Sequence, residues 1–295
     1  MKKLKQKINT SSEFFSYRYP PFSDTFEIHN PFLTDHEELI VQRALALIRQ
    51  GKSMAIYGEA GTGKSMLIKT ITNELDSKSY RIAIAPYGGL KPAVILRELC
   101  EAFDIDVAGR KNCLCRLAKN FEREADKPFP VIIIDDAHTM QNQSFFDLCS
   151  LLHDAVSRTS AASLILVGQP VLKKMLELDI FAPVRTRLAC MFMTQRLTSE
   201  QVHDFISFRL NSADALKKQN DIFVSLSQQA FVKQMLSADK NMFDVEAVEC
   251  INADTNGNRR VVMNVAAMCV EEAARRKEKV VTHEIVSAIA MEQGI

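Results

Sequence analysis

The chain has 295 residues, long enough for one large α/β domain and a smaller companion, because single cores usually stop growing at roughly 250–300 residues. Hydrophobic residues at 47% and charged residues at 25% are ordinary for a globular protein and exclude wholesale disorder. With 37 basic against 36 acidic residues there is no global field to draw the chain onto nucleic acid or membrane, so any polyanion must meet a local patch.

The seven cysteines are odd in number, lie mostly in apolar stretches and show no paired zinc spacing, which predicts reduced, packed thiols. The basic start Met1–Lys7 runs into polar Asn9–Glu13 instead of the apolar region of a signal peptide. The apolar stretch Val131–Ile134 is far shorter than the roughly 20 residues of a membrane helix. The expectation is a soluble, cytoplasmic protein with no membrane association.

Residues 1–30 carry four lysines and then Phe14, Phe15, Tyr17, Tyr19, Phe22 and Phe26, broken by Pro20-Pro21. They read as an arm that packs back on the protein or docks on a neighbour. From His36 to Gln50, Leu39, Ile40, Ala44, Leu47 and Ile48 recur at helical spacing, and Gly51 closes the run. Ser53–Tyr57 then predicts a strand, Gly58–Gly63 a glycine-rich loop and Lys64–Leu75 a helix.

Further strands are expected at Tyr80–Ala85, Val131–Ile134, Ser163–Val167 and Ala189–Met193, with helices between them such as Ala93–Phe103 and Phe145–Val156. That alternation predicts a doubly wound parallel sheet, and so an α/β domain over residues 31–195. Beyond it, Thr198-Ser199-Glu200-Gln201 offers a capping box for a helix burying Val202, Phe205, Ile206 and Phe208. Helical patterns follow at Ser227–Leu236, Asp244–Ala253, Arg259–Arg276 and Thr282–Met291, giving an all-helical lid domain over residues 196–295.

Gly58-Glu59-Ala60-Gly61-Thr62-Gly63-Lys64-Ser65 fits G-x-x-x-x-G-K-[ST] between a strand and a helix, and with Met66 forms the expected ATP contact. Its glycines let backbone N–H groups wrap the phosphates, Lys64 neutralises them, and Ser65 reaches Mg2+. Val131-Ile132-Ile133-Ile134-Asp135-Asp136 is an apolar strand ending in two carboxylates, the Walker B arrangement. Asp135 would hold the Mg2+ shell and Asp136 would orient the attacking water. Gln169, at the tip of the next strand, is placed to sense the γ-phosphate. Arg185 and Arg187 precede the last strand, where an arginine facing outward reaches the ATP of an adjacent subunit. Gly257-Asn258-Arg259-Arg260 opens a lid helix whose first-turn arginine can close over the phosphates.

The phosphate loop, Asp135-Asp136-Ala137-His138, Val167-Gly168-Gln169-Pro170, Arg185-Thr186-Arg187-Leu188 and Gly257-Asn258-Arg259-Arg260 together resemble the AAA+ ATPases of the ExeA/GspA-like group, and the target-selecting ATPases of DNA transposition systems, over about Asn30 to Ala290. The resemblance implies a P-loop AAA+ sheet domain with a C-terminal helical lid. It makes Lys64 and Ser65 the phosphate and Mg2+ residues, Asp135 the Walker B acid and Gln169 sensor 1. Arg187 becomes the arginine finger and Arg260 sensor 2. Two departures stand out: Asp136 replaces the usual Glu, which predicts slow turnover, and an extra helix is expected around Asp221–Lys240.

Secretion-linked members of that group resemble membrane proteins with a wall-binding tail, whereas members of this size resemble helper ATPases of transposition. The resemblance therefore favours an ATPase that binds double-stranded DNA without sequence preference, forms a homo-oligomeric ring or filament on it, and delivers a transposase. Arg110, Lys111, Arg116 and Lys119 are its candidate DNA contacts, the last three within two turns of one predicted helix. A comparable run, Arg275, Arg276, Lys277 and Lys279, keeps an ordinary solvated face open as the alternative. The competing class is a switch for protein partners in secretion assembly, signalling or defence, acting without DNA.

Overall fold

The computed structural model describes residues 11–15, 17, 20–23, 31–85, 89–107, 112–122, 127–153, 159–215 and 242–294. The expected helices at Ser227–Leu236 and around Asp221–Lys240 lie outside the described residues, as do Arg110 and Lys111. The chain divides into two compact units, Asp35–Gln195 and a second made of Met1–Thr34 with Arg196–Ile295. Residues 31–34, assigned from the sequence to the nucleotide-binding domain, thus pack with the helical unit.

In the first unit α2 (Asp35–Arg49; the arm carries a short α1, Ser11–Phe14) has Asp35, Glu37 and Glu38 in its first turn and Arg49 in its last, matching the helix dipole at both ends. It buries Ile40, Val41, Ala44, Leu45 and Ile48 on one stripe. Leu39, expected on that stripe, is instead exposed. Gly51, with φ near 65°, ends the helix by donating its N–H to the Ile48 carbonyl at 2.9 Å.

Then come β1 (Ser53–Tyr57), α3 (Lys64–Asn73), β2 (Tyr80–Ala85), α4 (Pro92–Ala102), α5 (Cys113–Phe121), β3 (Phe129–Ile134), α6 (Asn142–Ser150), β4 (Ser163–Gly168), α7 (Pro170–Glu177), α8 (Ala182–Arg185) and β5 (Leu188–Met193). The five strands form one sheet in the order β2-β3-β4-β1-β5, and every neighbouring pair is parallel. Strand β3 starts two residues earlier than its apolar run, and Pro130 sits at its start. The β3–β4 ladder begins only at Val131, so the missing proline N–H costs that ladder nothing.

Helix α6 stops at Ser150, short of the expected Val156, because the carbonyl of buried Leu152 accepts from Ala161 N–H as the chain turns into β4. The central strands β1 and β4 are almost wholly buried, whereas β2 and β5 are half-exposed edges. Since all five strands run the same way, their C-terminal ends lie along one edge of the sheet, where α/β proteins of this kind bind ligands.

The second unit is helical: α9 (Ser199–Ala215), α10 (Val245–Thr255), α11 (Arg259–Arg276) and α12 (His283–Gln293). The capping box forms as its sequence predicts. Thr198 N–H donates to Gln201 Oε1 at 3.1 Å, and Gln201 N–H to Thr198 Oγ1 at 3.3 Å. Val202, Phe205, Ile206 and Phe208 are buried. The aromatic arm contributes to this same core: Tyr17 and Phe22 are buried there, as is Phe32 just beyond the arm, with the Phe22 ring 5.9 Å from that of Phe243. Arg209 fastens the arm by donating from Nε to the Pro21 carbonyl at 2.8 Å and from Nη2 to the Ser23 carbonyl at 3.0 Å.

All seven cysteines are free thiols. Burial pushes Cys100 and Cys269 up to about 12 and Cys149 up to about 11, so these three stay protonated near neutral pH. Among the described residues no helix is long and apolar enough to cross a membrane.

The two arginines that open α11 have different environments. Arg259 is buried at 6% exposure, donates to the Phe32 carbonyl at 2.9 Å, and lies 5.5 Å from the Phe32 and 5.3 Å from the Phe205 ring centroid. Arg260 is exposed. Removing a charged hydrogen bond and two cation–π contacts by Arg259→Ala is expected to destabilise the helical unit by about 2–4 kcal/mol. Arg260→Ala should change it by less than about 0.5 kcal/mol. Urea unfolding followed by circular dichroism checks both.

Candidate nucleotide-binding site

The site is built on the end of β1. Tyr57 pairs with Gly168, the ladder runs one step further through Gly58 N–H to the Gly168 carbonyl at 3.1 Å, and the chain then leaves the sheet. On the other side, Thr194 N–H donates to the Tyr57 carbonyl at 2.8 Å, and the Thr194 hydroxyl lies 2.7 Å from that of Thr62. Thr62 also donates to the Glu59 carbonyl at 2.8 Å, closing the loop on itself. No room is left for a side chain at position 58, where a Cβ would fall 1.9 Å from Thr194 Oγ1.

Gly61 and Gly63 have φ of 80° and 92°, a left-handed backbone that costs glycine nothing. Gly63 caps α3 without any side-chain hydrogen bond to the helix N-terminus, so backbone N–H groups and the positive end of the dipole form the floor of the loop. Lys64 extends over the loop, its ammonium donating to the Gly58 carbonyl at 2.9 Å and the Glu59 carbonyl at 2.7 Å. Ser65, one residue into the helix, is exposed. These groups, a concave backbone cradle with a fixed ammonium at its lip, fit the phosphate chain of a nucleotide.

Strand β3 delivers the two carboxylates to the same edge. Asp135 N–H continues the ladder to the Ala85 carbonyl at 2.9 Å, and Asp135 Oδ1 accepts from Asp136 N–H at 2.8 Å. Asp136 is in the left-handed region, φ 47° and ψ 36°, which aspartate tolerates better than most side chains because it bonds locally. Its carbonyl closes a single turn by accepting from Thr139 N–H at 2.9 Å and Thr139 Oγ1 at 2.7 Å. Both side chains are half-buried. Strand β4, next to β3, ends at Gly168, so exposed Gln169 stands beside this turn. Its N–H donates to His138 Nδ1 at 3.4 Å.

The two candidate finger arginines are separated by their partners. Arg185 donates from Nη1 to the carbonyls of Leu176 and Glu177 at 3.0 and 2.9 Å, so its guanidinium caps the end of α7. Arg187 is exposed and donates to the Pro183 carbonyl at 2.9 Å. Of the candidate DNA contacts, Arg110 and Lys111 lie outside the described residues, and α5 carries the other two. Arg116 is half-buried and donates to the Asp106 carbonyl, while Lys119 is exposed. In the competing basic run, Arg275 and Arg276 both grip Glu272 at 2.5–2.7 Å, and their hydrogen bonds hold its carboxyl down at about 2.

Sequence reasoning gave Thr194 and His138 no role. Thr194 follows a strand with no motif around it, and only the β1–β5 pairing reveals that it braces the loop. His138 was legible as part of the Asp135-Asp136-Ala137-His138 segment, but its contact with the β4 tip depends on the turn at Asp136.

With this geometry, similarity to known proteins becomes informative. Residues 48–176 match the family model of the AAA domain. The chain is 22% identical over 213 residues to general secretion pathway protein A of Aeromonas hydrophila, covering 70% of this chain and 38% of that protein. It therefore spans well under half of that relative's length. The structure is similar to Cdc6p of Pyrobaculum aerophilum, with a TM-score of 0.66 at 17% identity, covering 92% of this chain and 70% of that one. It is also similar to the Aeropyrum pernix ORC1 protein solved in complex with DNA, with a TM-score of 0.62 at 14% identity, covering 94% and 69%. The fold is thus the P-loop AAA+ fold, a five-stranded parallel sheet with surrounding helices and a C-terminal helical region.

Gly58→Ala is expected to weaken nucleotide binding at least tenfold by displacing the loop. Adding Thr194→Ala, which removes the colliding hydroxyl, should recover part of that loss. Lys64→Ala should abolish binding with the fold intact. Calorimetric titration with ATP, alongside circular dichroism, measures each.

Proposed function

We propose that this chain is an ATPase that binds double-stranded DNA without sequence preference when loaded with ATP, assembles on it as a homo-oligomeric ring or filament, and recruits or regulates a transposase. The observation that carries the ATPase reading is the convergence of Lys64, Asp135, Asp136 and Gln169 on one edge of a parallel sheet. Residues Gly58–Met66 hold the phosphates. Ser65 and Asp135 are the Mg2+ residues, and Mg2+ shared with phosphates needs only one or two protein ligands. Bound there, the ion neutralises phosphate charge.

Asp136 orients the attacking water, and Gln169 reads the γ-phosphate. Arg187 acts as the finger on a neighbouring copy, a choice supported by the commitment of Arg185 to capping α7. Arg260 serves as sensor 2, a choice supported by the burial of Arg259. Asp136 in place of glutamate sets a slow basal rate. DNA binding is supported by the likeness to a protein solved on DNA, and the transposase by the resemblance of the motifs to target-selecting ATPases. Lys119, with Arg110 and Lys111, forms the DNA path, and Arg116 contributes less because it is tied to Asp106. A second reading, a switch for protein partners in secretion assembly, signalling or defence, is favoured by the similarity to general secretion pathway protein A.

Asp136→Asn keeps an αL-tolerant residue and should retain ATP while lowering hydrolysis on the order of a hundredfold or more. Mixing these subunits with Arg187→Ala subunits should restore activity if the finger acts in trans. Assembly of both variants without any recovery overturns that role.

With a non-hydrolysable ATP analogue, DNA affinity should fall with salt along a log–log slope of about −0.9 per phosphate contact, and Arg110, Lys111 and Lys119 changed to Glu should flatten it. Anisotropy titration is the test. No DNA binding at micromolar protein would sink the transposition reading and promote the protein-directed switch.

A further inference from the structure

The nucleotide-binding reading leaves His138 without a task, yet one atom of its ring meets both sides of the site. Nδ1 accepts the Gln169 N–H at 3.4 Å and stands 3.9 Å from Asp136 Oδ1. Among the described residues, no other side chain comes within ion-pairing reach of the Asp136 carboxylate. The left-handed backbone at Asp136 and the turn closed by Thr139 fold residues 137–139 back so that the ring reaches β4. Space for the ring is made at Gly168, where a Cβ would come 3.3 Å from Nδ1 and 3.0 Å from Leu172. The imidazole is largely buried, at 14% side-chain exposure, while the Asp136 side chain is 47% exposed.

We propose that His138 is a positioning residue that joins the water-orienting carboxylate of Asp136 to the tip of β4 at Gln169. This rests on the reading of Asp136 and Gln169 given above. Accepting a backbone N–H at Nδ1 puts the proton of the neutral ring on Nε2 and fixes the plane of the imidazole. The ring then limits the space the short aspartate arm can sweep. At 3.9 Å it makes no hydrogen bond to that carboxylate, so the oxygen lone pairs are left for a water molecule. Because the anchor is the Gln169 N–H, a shift of the β4 tip moves the ring relative to the Asp136 carboxylate. Positioning of this kind matters to rate, since a misplacement of about 1 Å can cost on the order of a hundredfold.

The experiment compares His138→Leu, which keeps bulk and removes the acceptor, with His138→Asn, whose side-chain oxygen can replace Nδ1 as acceptor. Both are measured in the parent and in an Asp136→Asn background. Single-turnover hydrolysis of bound ATP and ATP affinity are read separately, with thermal melting as a check on folding. The expected result is on the order of a tenfold loss of rate for His138→Leu with affinity within about twofold. His138→Asn should regain most of that rate, and His138→Leu should cause no further loss once Asp136 is Asn. A parental rate for His138→Leu, equal losses for the Leu and Asn variants, or losses that multiply with Asp136→Asn would each overturn the proposal. If Asp136→Asn itself hydrolyses at the parental rate, the reading of Asp136 fails instead, and the two failures are told apart.

Discussion

The site depends on how β1 ends. Its last ladder step is the bond from Gly58 N–H to the Gly168 carbonyl, and directly opposite stands Thr194 with its own bond to Tyr57. Held from both neighbours, the chain must leave the sheet at one fixed point and direction. The phosphate loop inherits that fixation, because a backbone cradle selects for phosphate only if its N–H groups are aimed before the ligand arrives. Glycine at position 58 is a consequence of strand packing as much as of chemistry, for any Cβ there would collide with Thr194.

Sheet order supplies the second constraint. With β4 between β1 and β3, the loop and the two carboxylates are not on adjacent strands, and the tip of β4 fills the interval. Gln169 and His138 occupy that interval, joined by the bond from Gln169 N–H to His138 Nδ1. The left-handed turn at Asp136 belongs to the same arrangement, since a sparsely populated backbone persists only where its surroundings hold it in place. An aspartate meets that backbone demand at lower cost than a longer acid, which gives a local reason for the short carboxylate.

The helical unit uses its charges differently. Arg259 is spent on packing against Phe32 and Phe205, Arg209 on fastening the arm, and Arg275 and Arg276 on Glu272. An arginine in a motif or a basic run is thus no guide to function until its partners are known. The arm shows the same lesson for apolar residues. Its aromatic cluster has no helical or strand period, yet Tyr17 and Phe22 are buried in the core of this unit.

Alone, the sequence determined the strands, the phosphate loop, the acidic strand end and the capping box, because each is a local pattern whose period or spacing is fixed by backbone geometry. Strand patterns also cease near residue 195 in the sequence, and the second compact unit resumes at Arg196. Only the tertiary structure decided which member of each ambiguous pair is committed elsewhere. Arg185 against Arg187 and Arg259 against Arg260 differ in partners contributed by α7 and by Phe32, which no spacing rule encodes. The contact of His138 with Gln169, and the bracing of the loop by Thr194, likewise arise from the order of strands in the sheet. That order is set by how the connecting helices cross its faces, a long-range outcome of packing that local sequence does not carry.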